Sequence, residues 1–122
     1  MIEMRKRSWR PRRATVEGFP QAQVVGRVYQ PPGHNSDGLQ AGRWGLTLKW
    51  AATREQQPAL EASICNPLMA NLTAAEAMPF ELSTSTARGT AILTRVSDTR
   101  EEGYDVVAEF EGTGPLRIRR RR

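Results

Sequence analysis

Few residues in this chain could do covalent or acid–base chemistry. It has one histidine, His34, and one cysteine, Cys65. His34 lies in PPGHNSDG beside Ser36 and Asp37, the residue types of a hydrolytic triad. A triad needs a base held by an orienting group next to a positioned nucleophile. Neighbours in one loop do not supply that geometry, and Asn35, Asp37 and Gly38 suit a polar turn. One Cys and one His cannot assemble the usual zinc ligand sets, and no internal disulfide can form. Carboxylates gather late in the chain, at Asp98, Glu101, Glu102, Asp105, Glu109 and Glu111. Paired acids can do general acid–base work. Here Asp105, Glu109 and Glu111 alternate with Tyr104, Val106, Ala108 and Phe110, which marks the solvated face of a strand. The expectation is a protein that is not an enzyme, with no catalytic residue, no metal and no cofactor.

Arginine is the other residue type with recognisable chemistry. The net charge of +5 at pH 7 conceals a division. Residues 1–13 carry Arg5, Lys6, Arg7, Arg10, Arg12 and Arg13 against Glu3 alone. Residues 117–122 carry Arg117, Arg119, Arg120, Arg121 and Arg122 with no acid. Between them, seven basic residues face twelve acidic ones. An acidic body with two basic ends points to a polyanion or an acidic protein surface as partner. Guanidinium groups match phosphate and carboxylate geometry. Trp9, inside RKRSWRPRR, and Tyr29, on one strand face with Arg27, are candidates to stack on bases. Lys49 would add a cation on a barrel face. The expected nucleic-acid contacts are therefore Arg5, Lys6, Arg7, Trp9, Arg10, Arg12, Arg13, Arg27, Tyr29, Lys49, Arg117 and Arg119 to Arg122.

These side chains need a scaffold, and the chain of 122 residues is long enough for one domain. Period-two alternation is its strongest pattern. Trp44, Leu46, Leu48 and Trp50 share a face, as do Tyr104, Val106, Ala108 and Phe110. ALEASIC (59–65) reads the same way, with Leu60, Ala62 and Ile64 on one side. Weaker strands are expected at 23–29, 79–86, 90–96 and 116–118, the middle two joined by a turn at Ala87-Arg88-Gly89. Residues 79–111 then form a three-stranded meander. Asn66-Pro67 reads as a turn. Thr73 and Glu76 have capping-box spacing, so one short helix is expected near 73–78. The fold class is all-β: a small antiparallel barrel or sandwich of six or seven short strands, its order resembling an OB barrel. The expected organisation is a basic arm at 1–13, one domain at 14–119 and a basic tail at 120–122. The basic start leads into no apolar segment, so no secretory signal is expected, and no apolar run is long enough for membrane insertion. No family pattern is evident.

Two functions fit. The first is a non-enzymatic module binding DNA or RNA with low specificity, in the cytoplasm. The second is a structural subunit of a shell, virion or secretion complex, a homo-oligomer whose arms dock on a neighbour's acidic sheet.

Overall fold

The computed structural model describes residues 9–31, 33–35, 38–40 and 42–118. Of the expected contacts, Arg5, Lys6, Arg7 and Arg119 to Arg122 lie outside them. Among the described residues nine strands run in chain order: β1 (Arg13–Val16), β2 (Ala22–Gln30), β3 (Gly33–Asn35), β4 (Gly38–Gln40), β5 (Arg43–Ala52), β6 (Phe80–Ser83), β7 (Ala87–Thr99), β8 (Tyr104–Gly112) and β9 (Arg117–Ile118). The main sheet has the order β6-β1-β2-β5-β8-β7-β9, and β6 also pairs with β7. That last pairing closes six antiparallel strands into a barrel, with β9 as an extra strand on β7. Strands β3 and β4 form a separate hairpin in the β2–β5 connection. Closure requires sharp local bending, and a bulge provides it in two places. The β2–β5 register shifts between Val24 and Gly26, and the β7–β8 register between Leu93 and Arg95.

The expected alternation on β5 and β8 holds. Trp44, Leu46, Leu48 and Trp50 are buried, as are Tyr104, Val106, Ala108 and Phe110. Small residues make room for the large ones. The Trp44 indole lies against Gly89 and Gly112, where any Cβ would collide with the ring. Its Nε1 donates to the Gly114 carbonyl at 2.9 Å. Trp50 Nε1 donates to the Pro20 carbonyl at 2.8 Å, so the indoles of the two β5 tryptophans are satisfied, whereas the buried Trp9 Nε1 has no hydrogen-bond partner among the described residues. The β6–β7–β8 meander also forms as expected. Its first turn sits at Thr84–Thr86 instead of 87–89. The Thr84 hydroxyl accepts from the Thr86 and Ala87 amides, closing the chain three residues early.

The helix differs most from expectation. Residues 57–73 form one continuous helix, α1: an α turn at Gln57–Leu60, a π segment at Glu61–Cys65 and an α stretch at Asn66–Thr73. The segment read as strand 59–65 is helical, and residues 74–79 carry no helix. Leu60, Ile64 and Leu68 recur every fourth residue. In pure α-helix such a stripe drifts by roughly 40° per step. The wider π turn takes up that drift, and Ile64 and Leu68 are both fully buried. Each such burial stabilises by about 1.5–3 kcal/mol. The π turn also answers Pro67, which has no N–H and would clash with the preceding turn. The Asn66 amide bonds to Glu61, five residues back. The capping box lies at Thr53 and Gln56, not Thr73 and Glu76. Thr53 N–H donates to Gln56 Oε1 at 3.1 Å, and Gln56 N–H to Thr53 Oγ1 at 3.3 Å. Thr73 instead donates its hydroxyl to the Met69 carbonyl at 2.9 Å. Among the described residues no helix is long and apolar enough to cross a membrane.

Candidate functional site

The basic stretch at 1–13 does not stay outside the fold to its end. Arg13 opens β1, and Trp9 is only 5% exposed. The Trp9 ring meets Tyr29 at 5.7 Å and Trp44 at 6.2 Å, both edge-on. A stacking platform needs a free ring face, so this placement corrects the sequence expectation for Trp9. Its indole is core, at the barrel end where β5 begins. Tyr29 is half-buried against it.

Three of the expected basic residues come together beyond this plug. Ala14 and Val16 are buried, so Arg13 faces outward on β1. Arg13 pairs with Gln23 on β2, and Gln23 with Lys49 on β5. Paired residues in an antiparallel sheet share a face, which puts Arg13, Gln23 and Lys49 in one row about 10 Å long. A groove of about 620 Å³ runs along this row, lined by Pro11, Arg12, Arg13, Gln21, Gln23 and Lys49 over a floor of Ala22, Trp50 and Leu60. Among the described residues no carboxylate lines it. Lys49 Nζ also sits 3.7 Å from Asp105 Oδ2, which holds the ammonium at the groove's edge. Arg13 Nη1 donates weakly to Gln21 Oε1 at 3.4 Å. Arg10 is exposed just ahead of the groove in sequence.

The remaining expected contacts are elsewhere. Arg27 lies beside Arg43 in a shallower depression of about 250 Å³, where Glu109 and Glu111 also line the wall. Tyr29 borders a different pocket of about 440 Å³, with Arg43, Trp44 and Glu111. Phosphate approaching either would meet carboxylate charge. Arg117 pairs directly with Arg88 across β9 and β7. Arg43 and Arg88 were not among the expected contacts. Arg88 had the appearance of a turn residue, and only the strand register reveals its neighbour.

Residues capable of other chemistry are dispersed or engaged. Among the described residues no three His, Cys, Asp or Glu side chains could hold a metal. Asp105 and Glu109 do face outward on β8, but Lys49 and Arg95 lie against them at 3.7 and 3.9 Å. Cys65 is half-buried in α1, at Tyr104. Tyr104 donates its hydroxyl to Asp98 Oδ2 at 3.0 Å. Burial first, then the hydrogen bonds with Cys65 and Asp98, raise this phenol above its ordinary pKa. Arg100 spans the same corner, 2.8 Å from Glu61 and 3.6 Å from Asp98.

No family model matches the chain, and no curated protein matches it either. Function has to be read from the barrel's own geometry, which is that of a small fold compatible with a non-catalytic binding module.

Proposed function

We propose that this protein binds nucleic acid with low sequence specificity, and does no chemistry on it. The observation that carries the reading is the groove bordered by Arg12, Arg13 and Lys49 with no carboxylate among the described residues of its lining. Arginine forks and an ammonium along a groove can follow a phosphate backbone. The aromatic side chains near it are core, so contact with bases adds little and sequence preference is weak. The sequence carries further basic residues at both ends. The acidic face of β8 gives the assembly reading less support, because Arg95 already partners its Glu109.

Fluorescence anisotropy of the full chain with labelled single- and double-stranded oligonucleotides tests the proposal. If about six phosphates are neutralised, log K falls against log salt with a slope near −5. Sequences of different composition bind within a few-fold of one another. Absence of binding at low salt refutes the reading.

A further inference from the structure

The strand register builds a second cluster of phosphate-type donors. Thr15 on β1 pairs with Ser83 on β6, Ser83 with Arg88 on β7, and Arg88 with Arg117 on β9. The flanking residues Val16, Leu82 and Ala87 are buried, so this row faces outward. Two arginines opposite one another on adjacent strands repel, which disfavours the pairing unless something neutralises them. Neither belongs to an ion pair among the described residues. The nearest acid along β6 is Glu81, two residues from Ser83, and it accepts a hydrogen bond from Thr90 instead. A depression of about 240 Å³ lies at the pair, lined by Thr84, Ala87, Arg88, Arg117 and Ile118. Strand β9 is two residues long, yet it is held where its charge is opposed.

We infer that Ser83, Arg88 and Arg117 form a phosphate-binding site. Two guanidinium forks accept a tetrahedral oxyanion with several short charge-assisted hydrogen bonds, and the Ser83 hydroxyl adds a donor. The bound anion converts the opposed charges of β7 and β9 into a bridge. The site also continues the groove. Arg13 and Thr15 are two residues apart on the same outward face of β1, about 7 Å along the strand. Lys49, Gln23 and Arg13 thus lead on to Thr15, Ser83, Arg88 and Arg117, a basic track of roughly 30 Å around the barrel. The continuation as a polymer track rests on the proposed function, but phosphate binding at the row does not.

Amide and guanidinium NMR of the full chain separates these. The titrants are inorganic phosphate, chloride at matched ionic strength, and a short oligothymidylate. Phosphate is expected to give saturable shifts at Ser83, Arg88 and Arg117 that chloride does not. Arg88→Gln or Arg117→Gln should weaken phosphate binding roughly tenfold. Arg88→Lys keeps the charge without the fork and should recover part of it, while Arg54→Gln, at an exposed position outside both the groove and this row, should leave it unchanged. Oligothymidylate moving the same resonances places the row on the polymer's path. Shifts with phosphate alone uphold the site for free phosphate and count against the nucleic-acid reading only. No saturable shift, or an equal response to chloride, overturns the site.

Discussion

Two corners of the barrel hold their cations in opposite ways. Around Arg100 the cation is answered from within. Its guanidinium reaches Glu61 on α1 and Asp98 on β7 and lies 5.7 Å over the Tyr104 ring. That corner ties the helix to the β7–β8 turn. In the groove, Arg12 and Arg13 meet no carboxylate among the lining residues, and Lys49 reaches only Asp105 outside it. The same residue type is structural in one place and available to a partner in the other. Number of arginines is therefore a poor guide to function, and the position of carboxylates a better one. The Arg27 depression stands between the extremes, with two arginines and two glutamates.

Substitutions can break this contrast from either side. Replacing Arg12, Arg13 and Lys49 together by Gln should weaken oligonucleotide binding roughly 30-fold at low salt. The salt slope should become shallower by about 2. The melting temperature should barely move, since these side chains are exposed or peripheral. Anisotropy and thermal denaturation check the two halves.

Tyr104→Phe should do the reverse. Losing the hydrogen bond to Asp98 costs about 1–2 kcal/mol of stability at neutral pH, with binding unaffected. The wild-type phenol keeps its proton in the fold above the usual pKa near 10. Past that pH the unfolded chain releases a proton that the native state retains, so stability is full below pH ~10 and declines above it. Chemical denaturation across pH 8–11 should show this decline in wild type and its reduction in the Phe variant.

A smaller effect is expected where the two situations mix. Glu109→Gln with Glu111→Gln removes acid from beside Arg27 and Arg43 and should strengthen oligonucleotide binding about two- to threefold. Arg27→Gln should change affinity by less than about twofold, because two glutamates line the same depression and repel phosphate there. A larger loss in the same anisotropy assay would move the interface to that face.

How far the sequence revealed all this depended on where the partner of each residue lay. Strands β2, β5 and β8 were legible because each alternates along its own length. Strand β1 was not, because its two buried residues, Ala14 and Val16, follow a run of arginines that reads as a solvated arm. The same run hid Trp9. Helix α1 was mistaken over 59–65 because Leu60, Ala62 and Ile64 satisfy a period of two as well as a period of four. Pro67 argued against a helix, and only the π turn removes that objection. The capping signal at Thr53 and Gln56, followed by Pro58, was there to be read. The groove could not be, since Arg13 and Lys49 are brought into one row by pairing across 36 positions of chain. The Arg88–Arg117 pair has the same non-local origin.

The central claim is that a polyanion lies in the carboxylate-free groove. Amide shift mapping of the full chain with oligothymidylate at low salt tests it most directly. The account predicts saturable shifts at Arg12, Arg13, Gln21, Gln23 and Lys49 that reverse when salt is raised. Shifts centred on Arg27, Arg43, Glu109 and Glu111, or no shifts at all, would contradict it.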